Sequence, residues 1–173
     1  PGEMSDEPRV INVVNLNNVD VPSLVRGRVD PRAGKAAYES IEKATLMTLS
    51  GETEAVVTAP LNKDALNQAG YHFPGHTQIL AHLSGVSDAV MMLAADNLRI
   101  AHVSTHVSLR DACDLVTKER ILRVIDLGVE AVRNMGIEEP RVVVPGLNPH
   151  SGEGGLFGDE EVNQIMPAIE FAK

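Results

Sequence analysis

Three histidines occupy places where an imidazole could act on a ligand. They are His76 in Gly75-His76-Thr77, His106 in Ser104-Thr105-His106 and His150 in Asn148-Pro149-His150. Each lies just past an apolar run or at the start of a helix. Neutral imidazoles brought in from separate loops are a common way to hold a divalent metal with one position open to substrate. The separations are long, 30 residues from 76 to 106 and 44 from 106 to 150, and no short H-x-x-x-H spacing is present. Taken singly, each histidine reads more readily as a hydrogen-bonded structural residue than as a ligand; three in similar positions bring the two readings level. His72, His82 and His102 read as ordinary positions, with His82 in a helix and His102 in a strand.

A fourth place, Thr58-Ala59-Pro60-Leu61-Asn62-Lys63, puts a lysine at a helix start. Lys63 reads either as a solvated surface residue or as a partner for a phosphate or carboxylate. Arg110-Asp111 reads as a local ion pair of little worth or as an orienting element for the His106 loop. Cys113 has no flanking cation to lower its pKa and reads as a small buried residue. As the one cysteine of the chain, it excludes an internal disulfide and a four-cysteine zinc site.

The segment from Gly146 to Gly158 carries five glycines, a proline, His150 and Glu153 between the apolar run Val142-Val143-Val144 and a helix from about Asp159. Glycine and proline are poor formers of helix and strand, so an irregular loop is expected, at the end of a strand where open α/β sheets place ligands. Its glycines miss the G-x-G-x-x-G dinucleotide spacing, because Phe157 stands at the last required position. Its amides could still bind an anion at a helix start. Glu153 is expected to accept hydrogen bonds from the loop itself.

Around these residues the chain alternates strand and helix signals. Strands are expected at 10–16, 55–59, 89–94, 98–103 and 141–145, with 89–94 and 98–103 forming a hairpin about Ala95-Asp96-Asn97. Asn15, Asn17, Asn18 and Asp20 mark a turn. Asp30-Pro31 reads as the N-cap and first residue of a helix to about Ser50, with Ala37, Ile41, Ala44, Leu46 and Leu49 as apolar positions and Gly51 beyond its end. Short helices follow at 61–69 and from Thr77, the residue expected to cap it. The clearest helix is 118–135, capped by Thr117, with Ile121, Leu122, Ile125, Val129 and Val132 as its stripe. The order predicts an α/β fold with a mixed sheet flanked by helices.

Of 173 residues, 43% are hydrophobic and 3% aromatic, which predicts a core of Val, Ile, Leu, Ala and Met. A net charge of −9 argues against a nucleic-acid partner or an anionic membrane surface. No apolar run approaches the roughly 20 residues of a membrane span. The polar N-terminus does not read as a signal peptide. A reducing, cytoplasmic setting is expected. The absence of a leading methionine and the unfinished helix at 171–173 suggest a fragment.

Five stretches carry a family likeness: VTAPLNK (57–63), GHT (75–77), MMLA (91–94), THVSLRD (105–111) and GLNPHSGEGGLFGDEE (146–161). Over about residues 27 to 173 the chain resembles the 4-hydroxythreonine-4-phosphate dehydrogenase (PdxA-like) family of vitamin B6 biosynthesis. That resemblance implies a fold like isocitrate and isopropylmalate dehydrogenases, with two α/β domains, a cleft between them and a homodimer. Residues 1–173 would be the central portion, lacking the family's glycine-rich start and its C-terminal part. It implies NAD- or NADP-dependent oxidation of 4-phosphohydroxy-L-threonine followed by decarboxylation, on the route to pyridoxal phosphate. It also implies a divalent metal (Zn, Mg or Co) held by three histidines. His106 and His150 match two of these ligands, and the third is expected outside the chain. His76 and Thr77 match substrate-binding positions.

Relatives with the same motifs act on D-threonate or D-erythronate 4-phosphate, or on cis-dihydrodiols of aromatic acids. Val14 to Asp20 favours such a paralogue. Two other classes compete: a phosphate acyltransferase-like enzyme, which predicts neither a histidine metal site nor NAD, and a non-catalytic dimerisation fragment.

Overall fold

Asp30 and Pro31 begin the longest helix, α1 (Pro31–Leu49), in the computed structural model, which describes Ser5 and residues 7–173. Asp30 is extended, and its carboxylate accepts the Arg32 amide at 2.8 Å. That bond satisfies one of the free donors of the first turn. The buried face of α1 runs through Gly34, Tyr38, Ile41 and Thr45. Of the apolar positions expected from periodicity only Ile41 is buried, while Leu46 and Leu49 are 51% and 57% exposed. Gly34 decides the face. A Cβ there would run into the backbone of Ala65 and Leu66, so its absence lets α2 (Lys63–Gln68) approach closely. Asn62 caps α2 by accepting the Ala65 amide at 2.9 Å. The third helix, α3 (His76–Leu83), is entered through Gly75, which is its cap in place of Thr77. Thr77 sits inside the first turn because the chain is already helical at His76.

These helices belong to one of two compact units, Pro1–Ser87 and Asp88–Lys173. The first unit buries Leu66 and Ile79 completely beside Tyr38 and Ile41, with Tyr71 and Phe73 packed on them. Tyr38 and Tyr71 stack at 3.8 Å between centroids. Three of the five aromatics therefore meet in one small core, against the expectation of an aliphatic one throughout. Few aromatics overall does not mean few in a given cluster, since each ring buries more area than any aliphatic side chain.

The second unit contains the expected hairpin, β1 (Met92–Ala95) and β2 (Leu98–Ala101), antiparallel with Met92 opposite Ala101 and Ala95 opposite Leu98. Asp96 takes the left-handed conformation at the turn (φ 43°). The ladder extends to the His102 amide, which donates to the Met91 carbonyl at 3.1 Å. A short helix, α4 (Leu109–Asp114), is capped by Ser108 and buries none of its residues. Cys113 is consequently exposed rather than buried. The amphipathic helix α5 (Lys118–Asn134) is capped by Thr117, as expected, and buries Ile121 and Val124. A π-helical turn, Glu161–Ile165, runs into α6 (Met166–Ala172). Ile121, Ile165 and Ala168 form an aliphatic core, joined by Val103, Val116, Leu122, Ile125, Val144 and Ile169.

The mixed sheet is not formed among the described residues, where β1 and β2 make the one sheet. The runs 10–16, 55–59 and 141–145 carry no ladder. Ile11, Val57 and Val143 are 88%, 97% and 83% exposed. A strand exists only through hydrogen bonds to a neighbour, so an apolar run states a propensity and not a pairing.

Candidate functional site

The loop before α6 is built on backbone of the unusual hand. From His150 to Gly154 five successive residues lie in or beside the left-handed region, with φ of 53°, 51°, 77°, 45° and 69°. The segment expected to be irregular is thus close to one turn of left-handed helix. Only glycine enters this region freely, and each of His150, Ser151 and Glu153 costs about 1–2 kcal/mol there. Gly152 is needed for a second reason. A Cβ on it would lie 2.8 Å from both Glu161 Oε2 and the Gly158 carbonyl.

Glu161, 5% exposed, is the centre of this loop. Its Oε1 accepts the amides of Leu147 and Asn148, each at 2.7 Å. Its Oε2 accepts Asn148 Nδ2 at 2.8 Å, and the same Nδ2 donates to Glu160 Oε2 at 2.7 Å. The Asn148 side chain, followed by its amide, holds the Glu161 carboxyl below its ordinary pKa and outweighs the opposing effect of burial. The role expected of Glu153 therefore belongs to Glu161, and Glu153 is exposed. The amides of Leu147 and Asn148 are occupied by the protein's own carboxylate, so they are not free to cradle an external anion.

His150 projects from this turn as an exposed residue, with its ring 6.1 Å from the ring of Phe157. His106 is also exposed and also left-handed (φ 60°). Neither imidazole has a hydrogen-bond partner among the described residues, whereas His102 Nδ1 lies 3.1 Å from the Met91 carbonyl and His72 Nδ1 3.2 Å from Asn67 Oδ1. The approach to His106 is anchored from α5. Arg120 Nε donates to the Val103 carbonyl at 2.9 Å, and Asp88 joins Arg120 (2.9 Å) to Arg123 (3.1 Å). Burial raises the Asp88 pKa, but the hydrogen bonds and the charges of the two guanidinium groups together outweigh it and leave the carboxyl lowered. Arg110 and Asp111 form no ion pair among the described residues. Asp111 instead gives its amide to the Ser108 cap at 3.2 Å.

His76 and Thr77, half-buried, open α3 in the other unit, and Lys63 is exposed. Among the described residues no three His, Cys, Asp or Glu side chains gather as a metal site. His106 and His150 share one unit and provide two open imidazoles. Sequence reasoning missed Glu161, Asn148, Asp88 and Arg120. The Asn148-Pro149 pair is the one signal that could have pointed to the first two, since asparagine before proline often fastens a turn.

Fold and site together define an α/β protein whose distinctive feature is a histidine carried on a glycine-rich, left-handed loop. The chain belongs to the PdxA family: the model for pyridoxal phosphate biosynthetic protein PdxA matches residues 3–173. A protein of Bradyrhizobium diazoefficiens, provisionally named a D-threonate 4-phosphate dehydrogenase, is 52% identical over 83% of this chain and 41% of its own length. The D-threonate 4-phosphate dehydrogenase of Pectobacterium atrosepticum is 42% identical over the whole chain and 53% of its own length. A crystal structure of 4-hydroxythreonine-4-phosphate dehydrogenase from Klebsiella pneumoniae superposes with a TM-score of 0.79 at 43% identity, covering 87% of this chain and 45% of that one. The chain spans about half the length of these relatives. No helix among the described residues is long and apolar enough to cross a membrane.

Proposed function

We propose that these residues supply about half of an NAD- or NADP-dependent dehydrogenase acting on a 4-phosphorylated hydroxy acid. The whole protein would have the two-domain arrangement of isocitrate and isopropylmalate dehydrogenases and work as a homodimer. The observation that carries the site is the backbone. Of the six histidines, only His106 and His150 stand at positive φ. Strain at two exposed, unpartnered imidazoles is expected where geometry serves a ligand. They are the two that the family motifs mark as metal ligands.

A divalent cation bound there would supply Lewis-acid stabilisation of negative charge on the substrate oxygen during oxidation and loss of carbon dioxide. Imidazole donors suit Zn or Co better than Mg. His106 and His150 keep their rings open to such an ion; His76 and Thr77, at the start of α3 in the other unit, are the residues the family motifs mark for substrate. A nicotinamide bound in the whole protein would supply the acceptor for the hydride of the carbinol carbon.

D-threonate 4-phosphate is the favoured substrate, because both curated relatives described above carry that name. 4-Phosphohydroxy-L-threonine is the second reading, favoured by the name of the Klebsiella structure. The test is nicotinamide reduction by the longest polypeptide that contains this chain, with each 4-phosphate, with and without a chelator. Turnover that the chelator and His150→Ala both abolish is expected. Wild-type rates in His106→Ala or His150→Ala would sink the ligand assignment, and inertness toward both substrates would sink the dehydrogenase reading.

A further inference from the structure

A left-handed turn with three non-glycine residues does not hold itself, because each of those residues gains by leaving it. Its own backbone bonds are those of a 3-10 turn over Pro149–Gly155, entered by Ser151 N to the Asn148 carbonyl at 3.1 Å and closed on the Gly152 carbonyl by Leu156 N and Phe157 N, the latter at 3.1 Å. A hold from outside the turn comes from one carboxylate on another element. Glu161 stands in the π-helical turn that leads to α6, and its neighbour in that turn, Ile165, is anchored in the aliphatic core with Ala168 and Ile121. From that fixed base it grips Leu147 and Asn148, the residues immediately before Pro149 and His150. Both of its oxygens are used, and glycines at 146 and 152 leave the room for it. A Cβ at Gly146 would lie 3.3 Å from Oε1, and one at Gly152 2.8 Å from Oε2. A π-helical turn at this point fits a residue displaced from the regular helical register to reach the loop.

We propose that Glu161 is the positioning residue for His150: it clamps Leu147 and Asn148, keeps the following turn left-handed, and so sets the direction of the His150 imidazole. The clamp stands on its own geometry. Its importance for binding rests on the reading of His150 as a metal ligand.

Glu161→Asp withdraws the carboxylate by about 1.5 Å, one bond length, while keeping its charge. Glu161→Gln keeps the shape, but one of its two acceptors becomes a donor facing amide hydrogens. Both variants of the full chain should raise hydrogen exchange at the Leu147 and Asn148 amides by about tenfold or more, the loss expected for a charged acceptor. They should also shift the ring nitrogen resonances of His150 and leave those of His102 in place. Unchanged exchange and an unchanged His150 ring in Glu161→Asp would overturn the proposal. So would loss of exchange protection throughout α5 in both variants, which would make Glu161 a residue of the core. Titration of the longest wild-type polypeptide that contains this chain with cobalt(II) separates this from the function. If cobalt leaves the His150 ring unperturbed while the variants release the loop, the ligand reading fails and the clamp stands. If cobalt perturbs the ring and the variants change nothing, the clamp fails and the ligand reading stands.

Discussion

In the unit through Ser87, His76 takes the first position of a regular helix, held over a core of stacked tyrosines and fully buried Leu66 and Ile79. In the unit from Asp88, His106 and His150 stand on left-handed backbone in exposed loops, over a smaller aliphatic core. The first arrangement costs the backbone nothing, since a helix places its N-terminal residue by its own geometry. The second is uphill locally and must be held from outside, by Glu161 in the His150 loop and, on the approach to His106, by Arg120 with Asp88. A helix start presents a side chain with the freedom of a first turn. A clamped left-handed turn presents it in one direction, which is what a ligand atom requires.

The contrast can be broken at either end. The largest effect is expected in the first core, where Leu66→Ala should cost about 2–5 kcal/mol in urea denaturation and remove exchange protection from α1 and α2. A loss no larger than that of a surface substitution would mean that the tyrosine stack, not Leu66, carries this unit. A smaller effect of opposite sign is expected at the loop. His150→Gly should raise stability by about 1 kcal/mol in thermal melts while removing the imidazole, because glycine bears positive φ without strain. His76→Gly should bring no gain. Equal responses at the two positions would erase the distinction.

The smallest effect is an acid transition confined to the loop. The Glu161 carboxyl lies below its ordinary pKa of 4.5, so its contribution is complete above that value and is lost as pH falls through the lower folded value. The amide shifts of Leu147 and Asn148 should follow it, and Glu161→Gln should abolish it. A transition that survives Glu161→Gln belongs to another carboxyl.

Local signals were legible to different degrees. The caps Asp30 and Thr117, the glycines after helices at 51, 70 and 136, and the hairpin at 92–101 each depend on a few neighbouring residues and could be read along the chain. The Thr77 cap failed because a glycine offers no side chain to announce itself as a cap. The α1 stripe failed because its buried face is chosen by where α2 crosses at Gly34. Cys113 was read as buried from its type and its want of a flanking cation, yet α4 buries none of its residues.

The sequence by itself determined the starts of α1 and α5, the hairpin, the three histidines of interest and the family to which they belong, because these rest on short-range stereochemistry and on contiguous motifs. Tertiary structure alone decided that His106 and His150 lie on left-handed backbone, that Glu161 rather than Glu153 holds the loop, and that runs such as 55–59 and 141–145 carry no ladder. Each of those turns on whether a partner distant along the chain is in reach. Hydrogen bonds and close contacts of that kind are set by packing, and no local pattern of residues encodes them.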